Sequence, residues 1–133
     1  MRKLLIVLVL IVPLGCDVFE NEQTVPVAAI GNWEWTHSAG GWGPYADADS
    51  VDYTMKLTLH AHEATWYRDD EITGEFWITE RKKGWQENSF YMKWKDKKSC
   101  DLKGRYNSAE NLLTLSSAGC TDSPSHYFKK VSH

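Results

Sequence analysis

The stretch VDYTMKLTL, residues 51–59, alternates strictly, with Val51, Tyr53, Met55, Leu57 and Leu59 apolar and Asp52, Thr54, Lys56 and Thr58 polar between them. Successive side chains of a strand point to opposite faces, so this pattern predicts a strand with one buried and one solvated side. The same period returns where Phe90, Met92 and Trp94 alternate with Tyr91, Lys93 and Lys95, and where Cys100, Leu102, Gly104 and Tyr106 alternate with Asp101, Lys103 and Arg105. Beyond the N-terminal region, helical spacing is sustained nowhere. Turn-forming clusters at 60–63, 68–71, 81–88, 96–99, 107–111 and 118–124 divide the chain at short intervals. They predict eight strands, at about 30–37, 51–59, 64–69, 72–80, 88–95, 100–106, 112–117 and 125–131. Short links make each strand antiparallel to the last, and eight such strands close into an up-and-down β-barrel. The predicted class is all-β.

Working outward, GNWEW at 31–35 places Gly31, Trp33 and Trp35 on one face of the first strand and Asn32 and Glu34 on the other. Both tryptophans therefore point inward. The rest of the predicted inward stripe includes Tyr53, Met55, Leu57, Phe76, Ile78, Phe90, Met92, Trp94, Tyr106, Leu113 and Leu115.

The N-terminus reads differently. Arg2 and Lys3 precede LLIVLVLIV and then PLGC, the layout of a secretory signal peptide over residues 1–15. The run Leu4 to Val12 is short for a bilayer crossing, which needs about twenty apolar residues. Gly15-Cys16 resembles the lipobox of bacterial lipoproteins. The resemblance implies that Cys16 is diacylated, becomes the first residue of the mature chain and anchors the protein to a membrane of the bacterial cell envelope, inner or outer. Residues 16–28, acidic and proline-bearing, read as a lipidated tether, and 29–133 as one barrel domain.

With Cys16 used by lipid, Cys100 and Cys120 are the remaining pair of the three cysteines, and an exported compartment favours their disulfide. If Tyr106 pairs with Leu113, Cys100 falls opposite Gly119, beside Cys120. Such a loop stabilises by about 3 kcal/mol in the chain-entropy account. The net charge of −3 argues against a nucleic-acid partner. The charge is uneven: residues 17–80 hold 13 acids and 2 bases, whereas residues 81–105 hold 9 bases and 3 acids. This is either the solvated outside of strands or a docking face for an acidic partner.

Gly31-x-Trp33 on the first strand, a long glycine-rich first loop, the hairpin LTLHAHEATWYRDDE and the closing NLLTLSSAGCTDSPSHYFKK resemble the lipocalin-like domain of bacterial lipoproteins. The resemblance implies that Trp33 plugs the closed end, with a basic residue of the last strand, Lys129 or Lys130, over its ring. It also implies that residues 38–50 form a lid over the open mouth, where Trp42 and Tyr45 either meet a ligand or cover the rim. Family hairpins carry Asp-Gly or Asn-Gly where this chain has His62-Glu63 and Asp69-Asp70, so longer or looser turns are expected at both.

The ligand-binding candidates are Trp35, Trp42, Tyr45, Tyr53, Met55, Phe76, Phe90 and Trp94. The functional expectation is a non-enzymatic, membrane-anchored monomer that binds a small apolar ligand in its barrel. The alternative is a packed barrel that works through its surface as an inhibitor or adaptor of another envelope protein. A third reading is sugar binding by exposed Trp66 and Trp77. No cofactor or metal is expected. Asp47, Asp49 and Asp52 miss the EF-hand pattern, and His60 and His62 lack a third ligand in their turn. There is no GxSxG, phosphate loop or HExxH, so no catalytic residue is assigned.

Overall fold

A computed structural model describes residues 24–42, 44–97 and 99–132. The readings for the signal peptide, Cys16 and the first part of the tether lie outside these residues. Nine strands follow in chain order: β1 (Gly31–Ala39), β2 (Ala46–Asp47), β3 (Met55–Leu59), β4 (Glu63–Arg68), β5 (Glu71–Thr79), β6 (Ser89–Trp94), β7 (Leu102–Asn107), β8 (Leu112–Ser117) and β9 (Ser125–Lys130). β1 and β3–β9 form an antiparallel meander that closes when β9 pairs with β1, Trp35 opposite Phe128 and Trp33 opposite Lys130. The eight-stranded up-and-down barrel expected from the sequence is the observed architecture. The two-residue β2 hangs on the end of β1, with Ser38 opposite Ala46.

Two local expectations are corrected. The second barrel strand begins at Met55, not at residue 51, because Asp69 takes both backbone groups of Thr54: Thr54 N–H donates to Asp69 Oδ1 (2.9 Å) and Asp69 N–H to the Thr54 carbonyl (3.0 Å). The Asp69-Asp70 turn is tight rather than loose. Both residues are left-handed (φ 49° and 64°), as a two-residue hairpin turn requires, and Arg68 pairs directly with Glu71. Aspartate enters that region at a cost of about 1 kcal/mol or more per residue. Here the bonds of Asp69 to Thr54 and the contact of Asp70 with Lys56 (3.1 Å) offset it.

Inside, Trp33, Leu57, Leu59, Phe76, Phe90, Met92, Leu113, Leu115 and Phe128 are completely buried. Among the described residues the core runs from Val25 to Phe128, and the eight barrel strands leave no open edge between them. Two inward glycines make room for the rings. A Cβ on Gly104 would sit 2.2 Å from the Phe90 ring, and one on Gly74 would sit 2.6 Å from the Trp94 ring. An eight-stranded bore has little width to spare, and a large ring fits where the facing position has no side chain.

The closed end is sealed as the Gly-x-Trp reading expects. The 3₁₀ turn Val27–Ala29 crosses below the barrel, Trp33 Nε1 donates to the Ala29 carbonyl (2.9 Å), and Trp33 meets Tyr106 edge-on at 5.9 Å. Val25, in the stretch read as tether, is fully buried here. Of the two candidate lysines, Lys130 does the covering: its Nζ lies 5.9 Å from the Trp33 ring centre and donates to the Ala28 carbonyl. Lys129 is exposed, opposite Glu34. Gly31, at φ 142°, lets the Lys130 stem pass, since a Cβ there would meet Lys130 Cε at 3.2 Å.

Gly104→Ala is expected to destabilise the protein by about 1–3 kcal/mol, although alanine suits a strand better than glycine, because the added methyl drives into Phe90. Phe90→Leu in the same chain should recover part of that loss, which urea unfolding of the single and double variants measures. Trp33→Ala, by emptying the plug, should cost about 3–5 kcal/mol in the same assay.

Candidate functional site

The opposite end of the barrel is not plugged. There the ends of β1, β4, β6 and β8 and the beginnings of β3, β5, β7 and β9 surround a cavity of about 360 Å³. Met55, Trp66, Trp94, Leu102, Ser117 and His126 line its wall, and Arg68, Thr73, Ser99, Ser123 and Pro124 form its rim. Beneath it Phe76 packs against Trp94 (ring centres 4.4 Å) and Trp66 (6.5 Å), and Trp66 meets Phe128 edge-on at 5.7 Å. The cup has an aromatic floor, and among the described residues no carboxylate lines it.

Trp94 is held from three directions. Its indole N–H donates to the Cys100 carbonyl (2.9 Å), its backbone N–H donates to Asp101 Oδ1 (3.1 Å), and its ring lies over Gly74. The Cys100–Cys120 disulfide, with Cα atoms 6.1 Å apart, ties the β6–β7 loop to the β8–β9 loop, both at this rim. Tyr106 pairs with Leu113, as the expected register requires. The bridge thus fixes the carbonyl that fixes Trp94.

On the other wall Thr36 is an extra residue in β1, and the bulge turns Ser38 inward, opposite His126. Trp35 Nε1 donates to Ser38 Oγ (2.9 Å), and the same oxygen is hydrogen-bonded to His126 Nδ1 at 2.6 Å, the direction being set by the imidazole tautomer. Burial pushes the His126 imidazole below its ordinary value, so the ring is neutral at neutral pH. Trp35 also stacks on Tyr53 (5.8 Å), and the Arg68 guanidinium lies 3.9 Å above the other aromatic partner of that stack, the Tyr53 ring.

The sequence-derived candidates separate on this map. Met55 and Trp94 line the cup, Phe76 lies below it, and Trp35 and Tyr53 brace its side. Phe90 belongs to the filled half, over Gly104. Trp42 and Tyr45 do not fold onto the rim: they are 86% and 64% exposed, and the Trp42 N–H is bonded to the Asp122 carbonyl. Trp66, read as exposed, points into the cup, whereas Trp77 is half-exposed on the outer wall. Sequence reasoning missed Arg68, Leu102, Ser38 and His126. Alternation from Phe128 would have found His126, but Ser38 needs the bulge.

A second cleft, of about 600 Å³, lies at the closed end between Thr24, Pro26 and the β5–β6 loop, and Glu80, Arg81 and Glu87 border it. It is larger, but its lining is charged loop surface, whereas the mouth is built from inward positions of the barrel. Among the described residues no group of three or more His, Cys, Asp or Glu is placed to hold a metal ion. Asp47 instead accepts from the backbone of Asp49 and Ser50 as a turn residue. No protein-family model, curated protein or solved structure matches this chain.

The buried His126 ties stability to pH. Its folded pKa lies below the unfolded value, so on acidification the unfolded chain takes up the proton first. Stability is therefore expected to be fully present above about pH 6.5 and to fall as pH is lowered through that value. His126→Gln should flatten this part of the profile, measured as urea midpoints at mildly alkaline and mildly acidic pH.

Proposed function

We propose that this protein is a lipid-anchored lipoprotein of the bacterial cell envelope whose lipocalin-like barrel binds a compact apolar ligand at its mouth, without catalysis. The observation that carries the reading is the cup of about 360 Å³ with an aromatic floor. Small-molecule sites run from about 300 to 1,000 Å³, so this cup is at the lower end. The lower bore is already occupied by Trp33, Phe90, Leu113 and Phe128, which leaves no channel for a long chain to thread. Size therefore favours a short or ring-shaped ligand that lies against Trp66 and Trp94.

Polar groups add a second criterion. The Arg68 guanidinium and the hydroxyls of Ser99, Ser117 and Ser123 offer donors at the cup, and a hydrogen-bond acceptor on the ligand satisfies them. The Ser38–His126 pair does not favour an enzyme: the Ser38 hydroxyl is 7% exposed and sits between Trp35 and His126, turned away from any substrate in the mouth. The anchor at Cys16 and the lipocalin-like family rest on the lipobox, the Gly31-x-Trp33 start and the closed eight-stranded barrel.

Tryptophan fluorescence titrated with ring-shaped and short-chain carboxylic acids should show saturable quenching at micromolar concentrations, with no further gain as the acyl chain lengthens. Met55→Trp, which fills the cup, should abolish quenching while the fold stays intact by circular dichroism. Phe90→Leu, in the filled half, should leave the affinity unchanged. Affinity that rises steadily with chain length, or survives Met55→Trp, contradicts a mouth-limited site.

A further inference from the structure

The outer wall of β5–β7 carries a chemistry that the mouth does not use. Three aromatic side chains on it, Trp77, Trp85 and Tyr91, each have a lysine ammonium near the ring: Lys95 at 4.0 Å, Lys103 at 4.8 Å and Lys82 at 4.9 Å. Trp85 folds back from the β5–β6 loop and stacks on Tyr91 at 6.0 Å. Register makes the group contiguous, since Trp77 lies opposite Lys93, and Tyr91 lies opposite both Thr79 and Lys103.

Two carboxylates at this wall, Asp101 and Glu63, are engaged, while Glu75, Glu80 and Glu87 stand exposed at its margin. Asp101 accepts from the Tyr91 hydroxyl and the Trp94 backbone, which raises the Tyr91 pKa and keeps the phenol protonated. Glu63 is paired with Lys95 (2.8 Å), which holds its carboxyl below the usual range. Lys93 and Arg105 are exposed, and among the described residues no carboxylate is paired with either. A chain of net charge −3 thus presents one wall of interleaved cations and aromatic rings.

We propose that this wall docks on the anionic phospholipid headgroups of the membrane. Lysines beside an anionic bilayer are attracted by its surface potential, and Trp and Tyr settle at the headgroup level, so this pairing of residue types suits an interface. The layout of the chain supplies an independent argument. The closed-end cleft is lined by Thr24 together with Glu80, Arg81 and Glu87 of the β5–β6 loop, so the described chain begins at the end of the barrel whose loop also carries Lys82 and Trp85. Cys16 and Thr24 are eight positions apart, a reach of at most about 28 Å. An anchor at Cys16 therefore keeps this end of the barrel within reach of the bilayer and lets the β5–β7 wall lie against it. That orientation rests on the lipid-anchor reading, whereas the chemistry of the wall does not.

The fragment 24–133, which holds every described core residue and lacks Cys16, separates the two. Co-sedimentation with vesicles of phosphatidylcholine plus phosphatidylglycerol should show binding that weakens as salt is raised, with none to phosphatidylcholine alone. Lys93→Gln with Lys103→Gln should lower the partition coefficient by about thirtyfold, at roughly fivefold per lysine. Equal binding to both vesicle types, or binding by the folded double variant equal to that of the parent, overturns the proposal. So does absence of vesicle binding at low salt with capture by a polyglutamate surface, which assigns the wall to an acidic protein. Acylation of Cys16 in the full chain, read by mass spectrometry, tests the anchor separately.

Discussion

When β9 pairs with β1, the sheet has no edge, and the width of the tube is set by eight strands rather than by what it must hold. That width accommodates side chains and little else. Gly74 and Gly104 are consequences of it: Trp94 and Phe90 occupy space that no second side chain can share. Closure therefore confines any task to the two ends and the outside. It also explains why an inward substitution of a single methyl is felt, because the walls cannot move apart without breaking the ladder that made them.

The two ends solve the same problem oppositely. At the closed end the polar atoms of the plug are used internally, with the Trp33 indole and the Lys130 ammonium both satisfied by carbonyls of the segment that crosses below. At the open end the backbone supplies no cover. A disulfide and a side-chain network hold the rim in shape instead, and donors of Arg68 and of several rim hydroxyls are left at the cavity. Rigid surroundings with a few unspent donors are what a binding site needs, since the ligand then orders little on arrival.

The barrel was legible because alternation is written at every residue of every strand, so local errors do not accumulate. The disulfide was legible for a related reason: one hairpin register, Tyr106 with Leu113, places both cysteines. Phase within a strand was harder. Lys129 and Lys130 differ by one position, and only the pairing of Trp33 with Lys130 decides which covers the plug. Ser38 was out of reach, since the bulge at Thr36 has no residue type that announces it and reverses the inward face after it. Val51–Thr54 alternates as a strand would, but Asp69 takes the Thr54 backbone groups that a longer ladder needs. Side-chain capture of backbone is a tertiary event with no local signature.

The mouth and the outer wall share β5–β7, and Asp101 touches both, one carboxylate oxygen on the Tyr91 hydroxyl and the other on the Trp94 backbone. Shared contact alone does not couple two sites; an element with two discrete arrangements is required. Trp94 does not offer one. Its indole is bonded to Cys100, whose position the disulfide fixes, and its ring fills the space above Gly74. A displacement of Tyr91 would have to break these restraints before it reached the cup. The network around Asp101 is therefore a brace, and the wall and the mouth act as independent surfaces of one rigid tube.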